Sequence, residues 1–148
     1  MARRVFFSFH YQRDIWRVNQ IRNIPNVTGV AAAGWADASL WEEAEKKGDA
    51  EIKKLIDNGL YNTSVTVVFI GYRTAGRKYI NYEIEKSIER GNGILGVKIH
   101  HLKNKDGVTD PEGDVPAKLT AAGANVYKYE SMEKLAEWIE AAAKAAGK

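Results

Sequence analysis

Apolar positions along this chain form short continuous runs that alternate with stretches of helical spacing. Continuous runs of four to ten residues predict buried strands, and apolar residues three or four apart predict amphipathic helices. The predicted strands cover residues 4–9, 27–34, 64–71, 93–102 and 124–129. The predicted helices cover residues 14–23, 36–47, 50–60, 77–91 and 131–147. Asp14 is the expected cap of the first helix, and the polar segment 103–116 is expected to be a mobile loop.

The alternation of strands and helices predicts the fold class. Strands separated by single helices favour an α/β fold, here a flavodoxin-like three-layer sandwich with a central, mainly parallel five-stranded sheet. We expect residues 1–148 to form a single domain, since this length is typical of one domain. In such folds ligands bind beyond the carboxyl ends of the strands, where the strand order reverses. Candidate site residues should therefore lie in the loops after the first three strands.

Composition and charge narrow the class of protein. The 148 residues carry a net charge of +3, with basic and acidic residues interleaved, so no basic patch points to nucleic acid. The chain has no cysteine, which rules out disulfides and thiolate metal ligands. Its apolar runs are far shorter than the ~20 residues that span a bilayer. We expect a cytoplasmic protein without a membrane partner, a metal site or a bound cofactor.

Glu83 stands out in the helix predicted over residues 77–91. Ile80, Ile84 and Ile88 form the predicted apolar stripe, and Glu83 lies about 60° outside Ile80 on a helical wheel. Tyr79 is one turn earlier on the same side. Periodicity alone leaves two interpretations open: a boundary carboxylate near a helix N-terminus, or a carboxylate placed in a pocket for chemistry.

Further candidate residues follow each of the first three strands. Phe9, His10 and Tyr11 could stack on a nucleotide, and the Ser8 hydroxyl could contact ribose or phosphate. After the second strand, Trp35, Asp37 and Trp41 are candidates for a ribose site. Arg77, with Arg73 and Lys78, precedes a helix N-terminus that could bind a pyrophosphate. The alternative for all of these is ordinary loop packing or solvation, and no G-x-G-x-x-G or Walker motif is present.

Four segments carry a resemblance to a known family. RVFFSFHYQ, DASLWEEA, NTSVTVVFIG and YEIEKSIERGN resemble TIR domains and, more narrowly, the ThsB family of bacterial Thoeris anti-phage defence. The resemblance extends over about residues 3–100. Enzymatic TIR domains carry an essential glutamate on the helix after the third strand, in a pattern of Trp, three residues, then Glu. Tyr79 and Glu83 fit that pattern with Tyr in place of Trp, so the resemblance implies that Glu83 is catalytic.

The resemblance also implies an activity and partners. It implies an NAD+ glycohydrolase or ADP-ribosyl cyclase that uses NAD+ as substrate, needs no separate cofactor and makes a cyclic ADP-ribose-type signal. The implied partners are further copies of the chain, through TIR–TIR contacts, and a ThsA-like effector that senses the product. The main alternative is a non-enzymatic TIR scaffold that acts by self-association. A nucleoside-transferring enzyme is a closer chemical rival, whereas a phospho-receiver is disfavoured because the first strand lacks an acidic cluster at its end.

Overall fold

The computed structural model describes residues 3–21, 23–31 and 38–148, without the side chains of residues 38–41. Within these ranges the chain forms five strands and six helices. In chain order they are β1 (Arg3–Ser8), α1 (Tyr11–Asn19), β2 (Val27–Val30), α2 (Ala38–Lys47), α3 (Asp49–Leu60), β3 (Val65–Ile70), α4 (Lys78–Glu89), β4 (Gly93–Lys98), α5 (Ala117–Ala121), β5 (Asn125–Lys128) and α6 (Met132–Ala145). None of the described helices is both long enough and apolar enough to cross a bilayer.

The five strands form one sheet in the order β2-β1-β3-β4-β5, and every neighbouring pair is parallel. Helices cover both faces, which confirms the predicted three-layer α/β fold. The chain moves outward from β1 to β2, then returns to the other side of β1 with β3. The order therefore reverses between β1 and β3, and a crevice opens beyond their carboxyl ends.

Alternation along the strands divides the core into two layers. Val5 and Phe7 of β1 belong to the cluster beneath α1 and α6. Phe6 belongs to the opposite layer with α3, and Val68 of β3 packs there against α4. Because successive side chains point to opposite faces of a strand, Ser8 lies on the same face as Phe6, towards α4. Ser8 pairs in register with Val68 at the end of β1.

The buried face of α4 differs from the predicted stripe. Its buried residues are Ile80, Glu83, Ile84 and Ser87, whereas Ile88 is 47% exposed. The prediction that Ile88 belongs to the core is wrong. The buried arc of the helix spans about 100°, with Glu83 at one edge and Ile84 at the other. Glu83 is only 6% exposed, so it belongs to the buried face.

Buried hydroxyl groups explain this orientation of α4. Ser87 donates to the Glu83 backbone carbonyl at 2.7 Å, and its Oγ lies 2.7 Å from Thr66 Oγ1 of β3. Asn92 Nδ2 donates to the same Thr66 hydroxyl at 3.3 Å. A buried hydroxyl is costly without a hydrogen-bond partner, so this network favours the rotation of α4 that places Ser87 over Thr66.

Helix α1 begins earlier than predicted, and Asp14 is not its cap. His10 caps the helix instead, because its Nδ1 accepts from the Arg13 N–H at 3.1 Å. Asp14 is fully buried and pairs with the buried Arg17 at 3.1 Å. Burial raises the pKa of Asp14 and outweighs the opposite effect of Arg17.

Segment 103–116 was expected to be mobile, but side chains of α1 fix it in place. Arg17 donates to the backbone carbonyls of Leu102 and Val108 at 2.8 and 3.0 Å. Arg13 and Arg17 both pair with Asp110 at 3.0 Å. A polar sequence in this position is therefore an ordered part of the fold.

Candidate functional site

A cleft of about 860 Å³ lies where the strand order reverses. It is bounded by the loop after β1, the β3–α4 loop, the first turns of α4 and the start of α3. Its volume is in the range of small-molecule sites, and its position is that expected for a ligand in this fold class. Of the twelve candidate residues named from the sequence, eight line it: Phe9, His10, Tyr11, Arg73, Arg77, Lys78, Tyr79 and Glu83.

Glu83 is the buried carboxyl group of this cleft. It is only 6% exposed, and its Oε1 accepts a hydrogen bond from Ser8 Oγ at 2.8 Å. Burial raises the pKa of Glu83 to about 8, while the Ser8 hydrogen bond acts in the opposite direction. A carboxyl group with so perturbed a pKa, next to a cleft, marks a candidate catalytic residue.

Tyr79 lies one helical turn before Glu83 and is held by a side chain of α3. Its hydroxyl donates to Asp49 Oδ1 at 2.7 Å, and Lys78 Nζ lies 2.7 Å from the same oxygen. The hydrogen bonds from Lys78, Tyr79 and Lys53 hold the pKa of Asp49 well below its usual range. Asp49 also lines the cleft. The tyrosine at this position thus gains a hydroxyl anchor that a tryptophan would lack.

His10 of the β1–α1 loop and Arg77 at the start of α4 both line the cleft. Burial, with the positive charge of Arg77 next in size, lowers the pKa of His10. The His10 Nδ1 atom already accepts the Arg13 N–H, so the neutral ring carries its proton on Nε2. His10 therefore offers a neutral N–H donor, and Arg77 offers a cation next to it.

Two aromatic residues form the β1 side of the cleft. Phe9 is 9% exposed, and its ring centroid lies 6.2 Å from that of Tyr11 in a tilted arrangement. Phe9 also belongs to the core beneath α1. The sequence left two interpretations of Phe9 open, packing on the sheet and contact with a ligand. Phe9 packs on the sheet and also lines the cleft.

The remaining predicted residues are placed differently or lie outside the description. Ser8 is fully buried behind Glu83 and does not line the cleft. Trp35 and Asp37 fall outside the described residues, as does the side chain of Trp41. Their proposed contacts with ribose stay predictions.

Sequence reasoning missed two parts of the cleft wall. Asp49 was not singled out, although its place after Gly48 at a helix start was visible in the sequence. Asp114, from the segment after β4, also lines the cleft. Its neighbour Gly113 packs so closely that an added Cβ would lie 2.3 Å from the Gly71 carbonyl oxygen, so only glycine fits there.

The described side chains form no cluster of three His, Asp or Glu residues suited to a metal ion. The polar groups that line the cleft are the buried Glu83 carboxyl, the neutral imidazole donor of His10, the cations of the β3–α4 loop and the carboxylates of Glu45, Asp49 and Asp114. This combination suits an organic ligand that carries both negative phosphate groups and a positively charged or electron-poor centre.

Comparison with known proteins relates the chain to one family. The family model described as "Thoeris protein ThsB, TIR-like domain" matches residues 6–104, a range that includes Glu83. A curated relative, ThsB1 of Bacillus cereus (strain MSX-D12), is provisionally named a cyclic ADP-D-ribose synthase. It is 48% identical over 143 residues, a region that spans 93% of this chain and 72% of the relative. The chain therefore belongs to the ThsB family of Thoeris proteins with a TIR-like domain.

Proposed function

We propose that this protein is an NAD+-processing enzyme that cleaves the bond between nicotinamide and ribose, with Glu83 as the catalytic carboxylate. The observation that carries the proposal is the buried Glu83 carboxyl at the cleft where the strand order reverses. The name of the Bacillus cereus relative supports NAD+ as the substrate, because cyclic ADP-ribose is made from NAD+.

The chemistry requires one carboxylate rather than the usual pair. Most glycosidases need a second group to protonate the leaving oxygen, but nicotinamide carries a positive charge in NAD+ and departs neutral. The C1′–N bond breaks, its electron pair goes to the nicotinamide nitrogen, and the ribose acquires oxocarbenium character. An ionised Glu83 stabilises that positive charge more in the transition state than in the ground state.

Substrate binding itself favours the ionised form of Glu83. Burial holds the pKa of Glu83 near 8, so much of the group is protonated at pH 7. The positive charge of bound nicotinamide riboside stabilises the carboxylate and lowers that pKa. Glu83 therefore becomes ionised when the cationic substrate is bound next to it.

The fate of the ribosyl centre decides between hydrolase and cyclase. Attack by water gives ADP-ribose, and attack by a nucleophile of the same molecule gives a cyclic isomer; each releases one proton. We propose the cyclic product, an immune signal in anti-phage defence that a ThsA-like effector senses. In this proposal Phe9, Tyr11 and Tyr79 shield the ribosyl centre from water, while His10 and Arg77 hold the phosphates.

The test is incubation of the purified protein with NAD+, followed by chromatography and mass spectrometry of the products. Wild type should release nicotinamide and a compound that has the mass of cyclic ADP-ribose. Glu83→Gln should abolish both products. Glu89→Gln is the matched control, because it makes the same change on the same helix at a carboxylate that is 68% exposed. Equal turnover by the Glu83→Gln and Glu89→Gln variants would contradict the proposal.

Self-association through TIR–TIR contacts is a separate part of the proposal. Light scattering during turnover, over a range of protein concentrations, tests whether copies assemble and whether the rate per subunit rises with assembly. Assembly without nicotinamide release, also in protein taken from phage-infected cells, would favour the scaffold alternative over the enzyme.

A further inference from the structure

Ser8 is a buried hydroxyl at the base of the candidate active site. It ends β1, has no exposed surface and pairs in register with Val68 of β3. Its Oγ lies 2.8 Å from Glu83 Oε1, and both groups are buried. The contact joins β1, in the central region of the sheet, to α4.

The Ser8 hydroxyl is the one hydrogen-bond donor that the described residues provide to the Glu83 side chain. Cationic groups line other parts of the cleft, namely Arg77 and Lys78, but neither pairs with Glu83. Lys78 instead pairs with Asp49. A carboxylate without a cationic partner depends on such a neutral donor for its charge to be stable.

We propose that Ser8 is a positioning residue for the cleavage reaction: its hydrogen bond fixes the Glu83 carboxylate against the cleft and stabilises its ionised form. The proposal rests on the proposed function and deepens it, because it assigns Ser8 to the catalytic group rather than to the substrate. Hydrogen bonds to ionised acceptors are roughly twice as strong as those between neutral groups, so the Ser8 hydroxyl favours the charged state.

The surroundings of Glu83 allow this effect to be isolated. The titratable groups that face the cleft are His10 after β1, Glu45 of α2, Asp49 of α3, Asp114 after β4, and the Arg73, Arg77, Lys78 and Tyr79 side chains around the start of α4. Burial and the Ser8 hydrogen bond, rather than any of these charges, determine the pKa of Glu83. Removal of the Ser8 hydroxyl should therefore raise that pKa further.

The experiment compares Ser8→Ala with Thr63→Val. Thr63 is also a buried hydroxyl residue, but it bonds the Leu60 carbonyl and Asn92 rather than Glu83 or any other residue of α4. We expect Ser8→Ala to shift the midpoint at which kcat/KM rises with pH upward by about one pH unit, since one unit corresponds to a tenfold effect. At pH 7 its kcat/KM should fall about tenfold, and the deficit should close as the pH rises. Thr63→Val should keep the wild-type midpoint.

A measurement without turnover separates this proposal from the proposed function. The pKa of Glu83 can be measured without NAD+ by NMR titration of protein labelled at the side-chain carboxyl carbons of its glutamates. The Glu83 signal is the one that is lost in Glu83→Gln. The Ser8→Ala signal should titrate about one pH unit higher than wild type. If Ser8→Ala folds poorly, Ser8→Cys is the second variant: its slightly larger thiol fills the same site with a weaker donor, so the midpoint should shift in the same direction. An unchanged Glu83 midpoint in a folded Ser8 variant would overturn the proposal, whether or not NAD+ is cleaved.

Discussion

Because Glu83 is buried, we expect the wild-type protein to lose stability as the pH becomes alkaline. Folding moves the pKa of Glu83 from an ordinary value of 4.5 to about 8, so the folded state binds the proton more tightly than the unfolded state. The raised pKa leaves stability unaffected below pH 4.5, and the loss of stability grows as the pH rises towards 8. Glu83→Gln removes the titrating group and should remove this pH dependence.

The magnitude follows from the size of the pKa difference. Each pH unit corresponds to about 1.4 kcal/mol, so the gap of about 3.5 units sets an upper limit of about 5 kcal/mol. Most of it falls between pH 5 and pH 8.5. With allowance for relaxation around a newly charged group, the Glu83→Gln variant should gain about 2–4 kcal/mol over wild type across that interval. For a chain of this length that is a difference of about 4–16 °C in Tm.

Urea unfolding at pH 5, 6, 7, 8 and 8.5 measures this difference directly. The other titrating groups are common to both proteins, so their contributions cancel in the comparison. Any cost of burying the glutamine amide is the same at every pH and cancels as well. Glu89→Gln should show a difference from wild type that does not change with pH. If the Glu83→Gln curve runs parallel to wild type from pH 5 to 8.5, the inferred pKa of Glu83 is incorrect.

Four further predictions concern the site and its supports. For the wild-type protein, kcat/KM for NAD+ should rise with pH with a midpoint near 8. The midpoint for kcat should be lower, because the bound substrate is cationic and favours the ionised carboxylate. Identical midpoints for the two parameters would contradict this. Asp49→Asn should raise KM about three- to tenfold in steady-state assays with a smaller effect on kcat, because the substitution weakens the hydrogen bond that holds Tyr79 in place. Arg17→Met should cost about 3–5 kcal/mol in urea unfolding, because the buried Asp14 loses its partner and Asp110 keeps only Arg13; a cost below 1 kcal/mol would refute this. Ile84→Ala should cost about 2–5 kcal/mol in the same assay and Ile88→Ala less than about 1, whereas the apolar stripe alone predicts that both are core residues.

The parallel sheet and the site of Glu83 could be predicted from local sequence patterns. Buried parallel strands produce continuous apolar runs, and the loops that follow them are adjacent by topology alone. That reasoning placed Phe9, His10, Arg77 and Glu83 near one another, and they line one cleft. Phe9, His10 and Arg77 directly follow a strand or precede the next helix, so their positions depend little on tertiary packing, whereas the burial of Glu83 in the second turn of α4 also depends on the rotation of that helix.

The features that were missed depend on contacts between distant segments. The rotation of α4 depends on Thr66 of β3, a partner that helical periodicity cannot include, and Ile88 was therefore assigned to the wrong face. The contact of Asp49 with Tyr79 requires α3 and α4 to pack side by side. Asp14 resembles a helix cap locally, but its partner Arg17 is itself buried by the segment around Val108.

The attachment of segment 103–116 has a consequence for how this cleft can change. The family match ends at residue 104, whereas Asp114 contributes a wall of the cleft from beyond that point. The segment is fixed to α1 through the pairs that Asp110 makes with Arg13 and Arg17. The aspartate that fixes the segment and the aspartate that lines the cleft are therefore different residues. A grafted segment that retains Asp110, and glycine where the chain crosses Gly71, should reshape the cleft without any change in the sequence of α4.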